Sequence, residues 1–546
     1  MTARALASRG GVGVESLAHG TDSAFLPFPC AVVTVGGRPD VLVVGGGTAG
    51  AVLAARLSEE PGRRVLLLEA GPAPRGPAGF GPSLLDARMV PGAQPGHPAT
   101  SRYPVTLRPG QPWLVPRGRV LGGSTTVNGG YFVRARREDF DRWAAAGNPA
   151  WSYESVLPFL RGLETDLDFG ATELHGGHGP MPVRRGRLEH PAAAAFRDAA
   201  HVLGFPSDPD KNDQAPPGFG PVPSNCVGGV RHNTGIGYLP PAVLDRPNLT
   251  VLGDCRVLRV VFAHGRAHGV LVEHRGEREV LTAGTVVLSA GALSTPHLLL
   301  LSGIGPRADL ERCGIPVVRD SPAVGTRLSD HPQVVLDWLP REESAGPDGS
   351  WLGGCLHLCS GRNTSGGPGD LEILQSLVPM AGLVRGTVTV PGAPLAFLVS
   401  ALSPRPTGRL RIRSADPDIP PDITYGFLSR PEDYRRLREA VRVTAGLISS
   451  APMTEICQGS LGPSPEVLDD DSALDGWVRD HLSTAQHTCG TVPMGPAVDQ
   501  YGRVHGVRGL RVADTSILPD TPHRGPAATA VLIGELVADA IRHELP

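Results

Sequence analysis

The stretch STAQHTCGTVPMG, Ser483 to Gly495, sets one imidazole, His487, among small and neutral residues with no charged neighbour in the segment. Two roles suit such a residue. Its unperturbed pKa, about 6.5, lies where a side chain can take up or release a proton under ordinary conditions, so it can act as a general base. It can equally be a core residue whose ring nitrogens are satisfied by neighbours. The segment alone does not separate the two.

A second constellation lies near the front, in PDVLVVGGGTAGAVLAARLSEEPGRRVLLLEAG. Val41 to Val44 reads as a short apolar strand that runs directly into Gly45, Gly47 and Gly50. From Thr48 to Leu57 the spacing becomes helical, with Val52, Leu53 and Leu57 able to face a sheet. A second strand, Arg64 to Leu68, ends in Glu69, 19 residues after Gly50. Each part has a physical task. Gly45 permits a tight turn, Gly47 lets the backbone approach a pyrophosphate, and Gly50 lets helix and strand pack closely. The helix N-terminus, with Thr48 and Ala49, favours phosphate charge. Glu69, followed by Ala70, accepts hydrogen bonds from a ribose hydroxyl pair. Strand, glycines, helix, strand and acid in this order specify a dinucleotide site. They do not choose between FAD and NAD.

These residues need a large scaffold. A chain of 546 residues, 40% of them apolar, suffices for two or three domains or one large enzyme on a single big sheet. Net charge is −3 and the basic residues are scattered, which excludes a nucleic-acid footprint. No apolar run reaches about 18 residues, so no membrane span is expected. Residues 1–37 lack the charged-then-apolar layout of a secretory leader and read as a loose extension. Eight dispersed cysteines fit reduced thiols in a cytosol. In CLHLC, Cys355, His357 and Cys359 would share one face of a strand, but no fourth ligand is in view and no metal is expected. DDDSALDG lacks the alternating carboxylates of a calcium loop, and an aspartate or Ser472 capping the following helix is expected instead.

Four further segments identify a relationship. PRGRVLGGSTTVNGGYFVRARREDFDRW (116–143) and SAGALSTPHLLLLSGIGP (289–306) resemble the two signatures of the GMC (glucose–methanol–choline) oxidoreductases. PAVGTRLSDHP (322–332) and VHGVRGLRVADTSILP (504–519) resemble later landmarks, in family order. Within that family the chain most resembles the mycofactocin-associated branch. The stretches that carry this are VNGGYFVRARREDFDRW, LETDLDF, HGGHGPMPVRR, GFGPVPSNCVGGVRHNTGIGYLPPAV and HRGPAATAVLIGELVADAI.

The resemblance implies an α/β fold: a doubly wound, Rossmann-like FAD domain intertwined with a substrate domain of mostly antiparallel sheet and flanking helices. The FAD domain would be assembled from 38–160, 225–320 and 485–546, the substrate domain from 161–224 and 321–484. Gly71 to Pro112 then reads as a long surface loop near the cofactor. By the same resemblance Gly122, Gly123 and Ser124 lie against the flavin pyrophosphate and ring, with Asn128 and Gly129 close to the isoalloxazine. Val257 pairs its backbone with the adenine edge, unless it is a plain buried strand residue. Ala290 and Ala528 approach the cofactor, and Asp514 lies near the ribityl and phosphate portion. Some relatives carry a flavin-linked histidine where this chain has Val127, so FAD is expected to be non-covalent.

His487 aligns with the family histidine that faces flavin N5. The expected chemistry is oxidation of an alcohol, the hydride passing to N5 and His487 serving as base or as anchor for the oxygen. Most relatives set a histidine or asparagine opposite, where this chain has Ala527; His523 is the nearest candidate partner. The implied substrate is reduced mycofactocin, with electrons passed to a respiratory-chain acceptor. The implied location is cytoplasmic, or peripheral at the inner face of the membrane. A GMC oxidase or dehydrogenase acting on another alcohol, and a non-redox flavoprotein lyase or binding module, are the alternatives.

Overall fold

In the computed structural model the described residues are 14–15, 31–33, 37–170, 172–343, 346–361, 367–402, 405 and 407–544. The expected extension, 1–37, lies outside them apart from 14–15, 31–33 and 37.

Short, fully apolar runs build the first sheet. Its five strands are all parallel, in the order Leu249–Leu252, Val65–Leu68, Val41–Val44, Thr285–Leu288, Leu510–Val512. Val41–Val44, Val65–Leu68, Thr285–Leu288 and Leu510–Val512 are buried at every position, as strands covered on both faces require. Each of the three segments expected for the nucleotide unit supplies strands to this sheet. The helix Thr48–Leu57 follows its strand as the spacing predicts, with Val52, Leu53 and Leu57 buried. It packs against the last helix, Ala527–Glu544. A Cβ on Gly534 would come within 2.7 Å of Val52 and 2.8 Å of the Ala49 carbonyl, so the two helices touch nearly backbone to backbone.

A second, antiparallel sheet runs Cys457–Ser460, Pro332–Pro340, Leu395–Ala401, Leu371–Ser376, Leu352–Leu358, Phe219–Pro221, with Ser483–Thr484 also paired to Pro332–Pro340. Register places Gln333 opposite Ser400, Ser400 opposite Glu372 and Glu372 opposite His357. Directly opposed residues share a face, so these four form one polar row across four strands. The helix Pro431–Ile448 packs over the sheet with Leu437, Val441, Thr444 and Ile448 buried. The mixed α/β fold expected from the sequence is therefore the observed one.

Gly71–Pro112 is not a long surface loop. It holds the short helices Gly76–Phe80 and Pro82–Leu85 and the strand Thr100–Arg108, which forms a hairpin with Gln111–Gly118. Its abundant prolines and glycines sit at helix starts and turns, which disguised the elements between them. Asp470 caps the helix Asp471–Asp480, its carboxylate accepting the Ala473 N–H at 2.7 Å.

Candidate active site

A cleft of about 790 Å³ lies where the parallel strands end and the antiparallel sheet begins. Gly45, Glu69, Ser289 and Asp514, each just beyond a parallel strand, line one part; Gln333, Glu372, Leu374 and Leu398 on the antiparallel sheet line another. The carboxyl edge of an open parallel sheet is where such folds bind ligands.

Glycines make the first part possible. Gly45 has φ +98°, and a Cβ there would lie 2.5 Å from the Ser289 carbonyl oxygen. Gly50 admits no Cβ either, which would lie 1.9 Å from the Gly45 oxygen. Gly47 precedes the helix and faces Gly123, whose Cβ would come within 2.7 Å of the Gly47 Cα. The Gly122 N–H donates to the Gly46 carbonyl at 2.8 Å, tying the two glycine loops together. Glu69 is buried, and its oxygens accept the Gly46 N–H at 2.9 Å and the Gly71 N–H at 2.8 Å. Burial pushes its pKa up, and those two amides pull it back. Asp514 accepts from the Gly291 N–H at 2.9 Å, the Thr295 hydroxyl at 2.5 Å and the Ser516 N–H at 2.9 Å. It thereby ties the start of the helix Gly291–Leu301 to the last strand of the sheet.

His487 lines the same cleft. The preceding Gln486 has φ 66°, a left-handed conformation uncommon outside glycine. Asp330 holds this backbone in place. One of its oxygens accepts the His487 N–H at 2.9 Å and the His331 N–H at 2.7 Å, and the other accepts the Thr488 hydroxyl at 2.7 Å. With both backbones on one carboxylate, the rings meet: His331 Nδ1 lies 2.9 Å from His487 Nδ1, with the ring planes at 87°. Only one hydrogen lies in that bond. When His487 carries it, the Nε2 of His487 is a free acceptor. A Cβ on Gly525 would sit 3.3 Å from that Nε2, so glycine keeps it uncovered. Burial, with the Arg117 charge adding to it, pushes the His487 pKa down to about 3. The imidazole is thus neutral across ordinary pH, well below the 6.5 expected from sequence.

Most expected site residues meet at this cleft: Gly45, Gly47, Thr48, Ala49, Glu69, Ala70, Gly123, Ser124, Asn128, Gly129, Val257, Ala290 and His487 all line it, with Asp514. Gly50, Gly122 and Ala528 are not among the lining residues; the first two hold the glycine loops together from behind, and Ala528 is buried in the last helix. His523 is not brought in. Its Nδ1 lies 2.6 Å from Asp139 and its N–H donates to the same carboxylate at 2.9 Å. That carboxylate is fully buried; its His523 and Arg142 contacts outweigh its burial and hold its pKa down at about 2. The ring that reaches His487 is His331. Its only trace in the sequence is an Asp–His pair within LSDHP, 156 positions away, with nothing to link it to His487. Ala527 lines the cleft.

Sequence profiles described as GMC oxidoreductase match residues 39–333 and 404–534. An uncharacterized GMC-type oxidoreductase of Rhodococcus erythropolis is 39% identical over 91% of this chain and 97% of its own. The chain belongs to the GMC oxidoreductase family. An oxygen-dependent choline dehydrogenase of Rhizobium rhizogenes is 32% identical over 92% of this chain and 95% of its own. The solved structure of pyridoxine 4-oxidase from Mesorbium loti superposes with a TM-score of 0.85 at 27% identity, covering 93% of this chain and all of that one. This GMC oxidoreductase is accordingly an FAD-dependent enzyme acting on the CH–OH group of donors. Its residues fit that cofactor: a glycine cradle without room for side chains, a helix start facing it, a buried carboxylate beyond the second strand, and a cleft continuous to His487.

Proposed function

We propose that this GMC oxidoreductase oxidises mycofactocinol, the reduced form of mycofactocin, with a respiratory carrier as the final electron acceptor. FAD, when bound, supplies the hydride acceptor. Glu69 would hold the adenosine ribose, Gly45, Gly47 and the start of Thr48–Leu57 the pyrophosphate, and Val257 the adenine. Gly123, Ser124, Asn128 and Gly129 would lie along the ring system, with Ala290 and Asp514 toward the ribityl chain.

The observation that carries the chemistry is the His487–His331 pair at the cleft. With the shared hydrogen on His487 Nδ1, the neutral His487 Nε2 accepts the hydroxyl proton as negative charge builds on the alcohol oxygen. His331, reached through the shared Nδ1 hydrogen, lets the pair hold or shift that proton without a carboxylate in contact with either ring. It fills the role that Ala527 leaves open and that His523, held on Asp139, does not take. The choice of mycofactocinol is supported by the stretches within 127–143, 163–185, 218–243 and 523–541. An oxidase acting on another alcohol is the second reading, favoured by the likeness to pyridoxine 4-oxidase.

Mixing the purified holoenzyme with reduced mycofactocin under argon, and separately with simple alcohols, tests both. Bleaching of the flavin by mycofactocinol alone, with slow recovery in air, supports the first reading. Bleaching by a simple alcohol with rapid recovery in air supports the second. Full FAD content with no bleaching by any donor rules out both.

A further inference from the structure

The antiparallel-sheet side of the cleft carries a polar cluster that the His487 chemistry does not use. Gln333 and Glu372, two members of the cross-strand polar row, both line the cleft. The neighbouring lining residues Leu374 and Leu398, paired with each other, are apolar, as are Trp351, Met380 and Leu383. Glu372 is thus a carboxylate set into a mostly greasy chamber.

Its bracing is specific. His357 Nε2 lies 3.0 Å from Glu372 Oε2, and His357 Nδ1 is buried with no hydrogen-bond partner. A carboxylate only accepts, so the hydrogen sits on Nε2 and is donated to Glu372. The Tyr131 hydroxyl lies 3.4 Å from the same nitrogen and also bonds to Glu372. A carboxylate offers about four acceptor lobes, so two donors leave capacity facing the cleft.

The surrounding charge narrows what occupies it. Cys355, His357 and Glu372 offer donor atoms within 4.8 Å of one another, a spacing a metal ion tolerates. Two buried cations act on all three of these residues: Arg524, and Lys211, whose charge is paired with Asp208 at 3.0 Å. The Arg524 charge opposes a divalent ion and, at half the charge, a quaternary ammonium group. A neutral donor meets no such opposition.

We propose that Glu372, braced by His357, is a specificity-determining residue that binds a neutral hydrogen-bond donor, a second hydroxyl or an amide N–H, on the apolar body of the alcohol substrate. The inference rests on the alcohol-oxidation reading and adds a substrate class to it: apolar alcohols with a second, uncharged donor. Binding to a site built for a hydrogen bond distinguishes such a molecule from its apolar analogue because the site's polar group is otherwise left unpaired.

Calorimetry on the full-length holoenzyme tests this with benzene-para-dimethanol, para-ethylbenzyl alcohol of nearly the same shape, and choline. The diol is expected to bind about tenfold more tightly than the ethyl compound, with choline the weakest. Glu372→Leu should erase the preference while leaving the ethyl compound within about threefold. Glu372→Gln, which keeps an acceptor and the side-chain shape, should retain part of it. Equal dissociation constants in the wild type, failure of the diol to bind, a preference that survives Glu372→Leu, or choline binding best would each overturn the proposal. So would stoichiometric zinc that co-purifies with the wild type and is lost in Glu372→Gln. Flavin bleaching under argon is scored separately: bleaching without the binding preference removes this inference alone, and the preference without bleaching removes the oxidation reading alone.

Discussion

At the scale of single residues, the decisive contact is between two imidazoles that share a buried acid. Asp330 grips the backbones of His331 and His487, and the two Nδ1 atoms lie 2.9 Å apart. His487→Ala is expected to slow anaerobic flavin bleaching by at least roughly 10²-fold. A loss smaller than tenfold would return the ring to a packing role. Because burial holds the wild-type pKa near about 3, the rate should show no acid limb from His487 near pH 6.5. Rates should therefore stay level from pH 8 to about 5, and an inflection at 6.5 that His487→Ala abolishes would contradict the depressed value.

At the scale of elements, two glycine loops meet almost atom on atom above the ends of the parallel strands. Gly45 has φ +98° with the Ser289 carbonyl 2.5 Å from where a Cβ would be, and Gly123 has φ +54° with the Gly47 Cα at 2.7 Å. A methyl group at either position strains the backbone and pushes the loops apart. Gly45→Ala and Gly123→Ala should each purify with well under half the FAD of the wild type, read as absorbance at 450 nm against protein (roughly a loss of the close approach that glycine permits). Gly62→Ala, with nothing within 4 Å of its Cβ, is the control and should keep full colour. Equal FAD in all three variants would show that the loops yield easily. The same elements were largely legible beforehand. The Val41–Val44 strand and the Thr48–Leu57 helix follow the apolar spacing, because each is a local pattern closed by its own glycines. The 71–112 stretch was not legible, since its short helices and strand draw their order from partners elsewhere in the chain, such as the strand Asp422–Thr424.

At the scale of the whole molecule, a buried charge network joins distant stretches of the chain. His175 touches Glu164 at 3.0 Å and Asp210 at 2.7 Å, Arg185 bonds to Asp166 and Asp210, and Arg134 reaches Glu164 at 2.6 Å. Burial alone would lower the His175 pKa; its bonds to Asp166, Asp210 and Glu164 outweigh that and raise it to about 10. A raised histidine stabilises the fold fully below its unfolded value near 6.5, and the contribution fades as pH climbs toward 10. His175→Gln should therefore lower the thermal midpoint by several degrees at pH 6.5, and the gap to wild type should narrow steadily up to pH 10. A gap that is constant with pH would mean the ring is neutral in the fold.

The local order of strand, glycines, helix and acid determined the nucleotide end of this protein from sequence alone, because those contacts lie within about thirty residues of chain. The family motifs located His487, since its segment carries its own signature. Only the tertiary structure decided what meets it. His331, just before the strand Pro332–Pro340, meets His487 because Asp330 holds both backbones, and Glu372 reaches the cleft by strand register within the antiparallel sheet. Their spacing along the chain holds no trace of either. His523, closer in sequence, was drawn instead to the buried Asp139, which it contacts through both its ring and its backbone N–H.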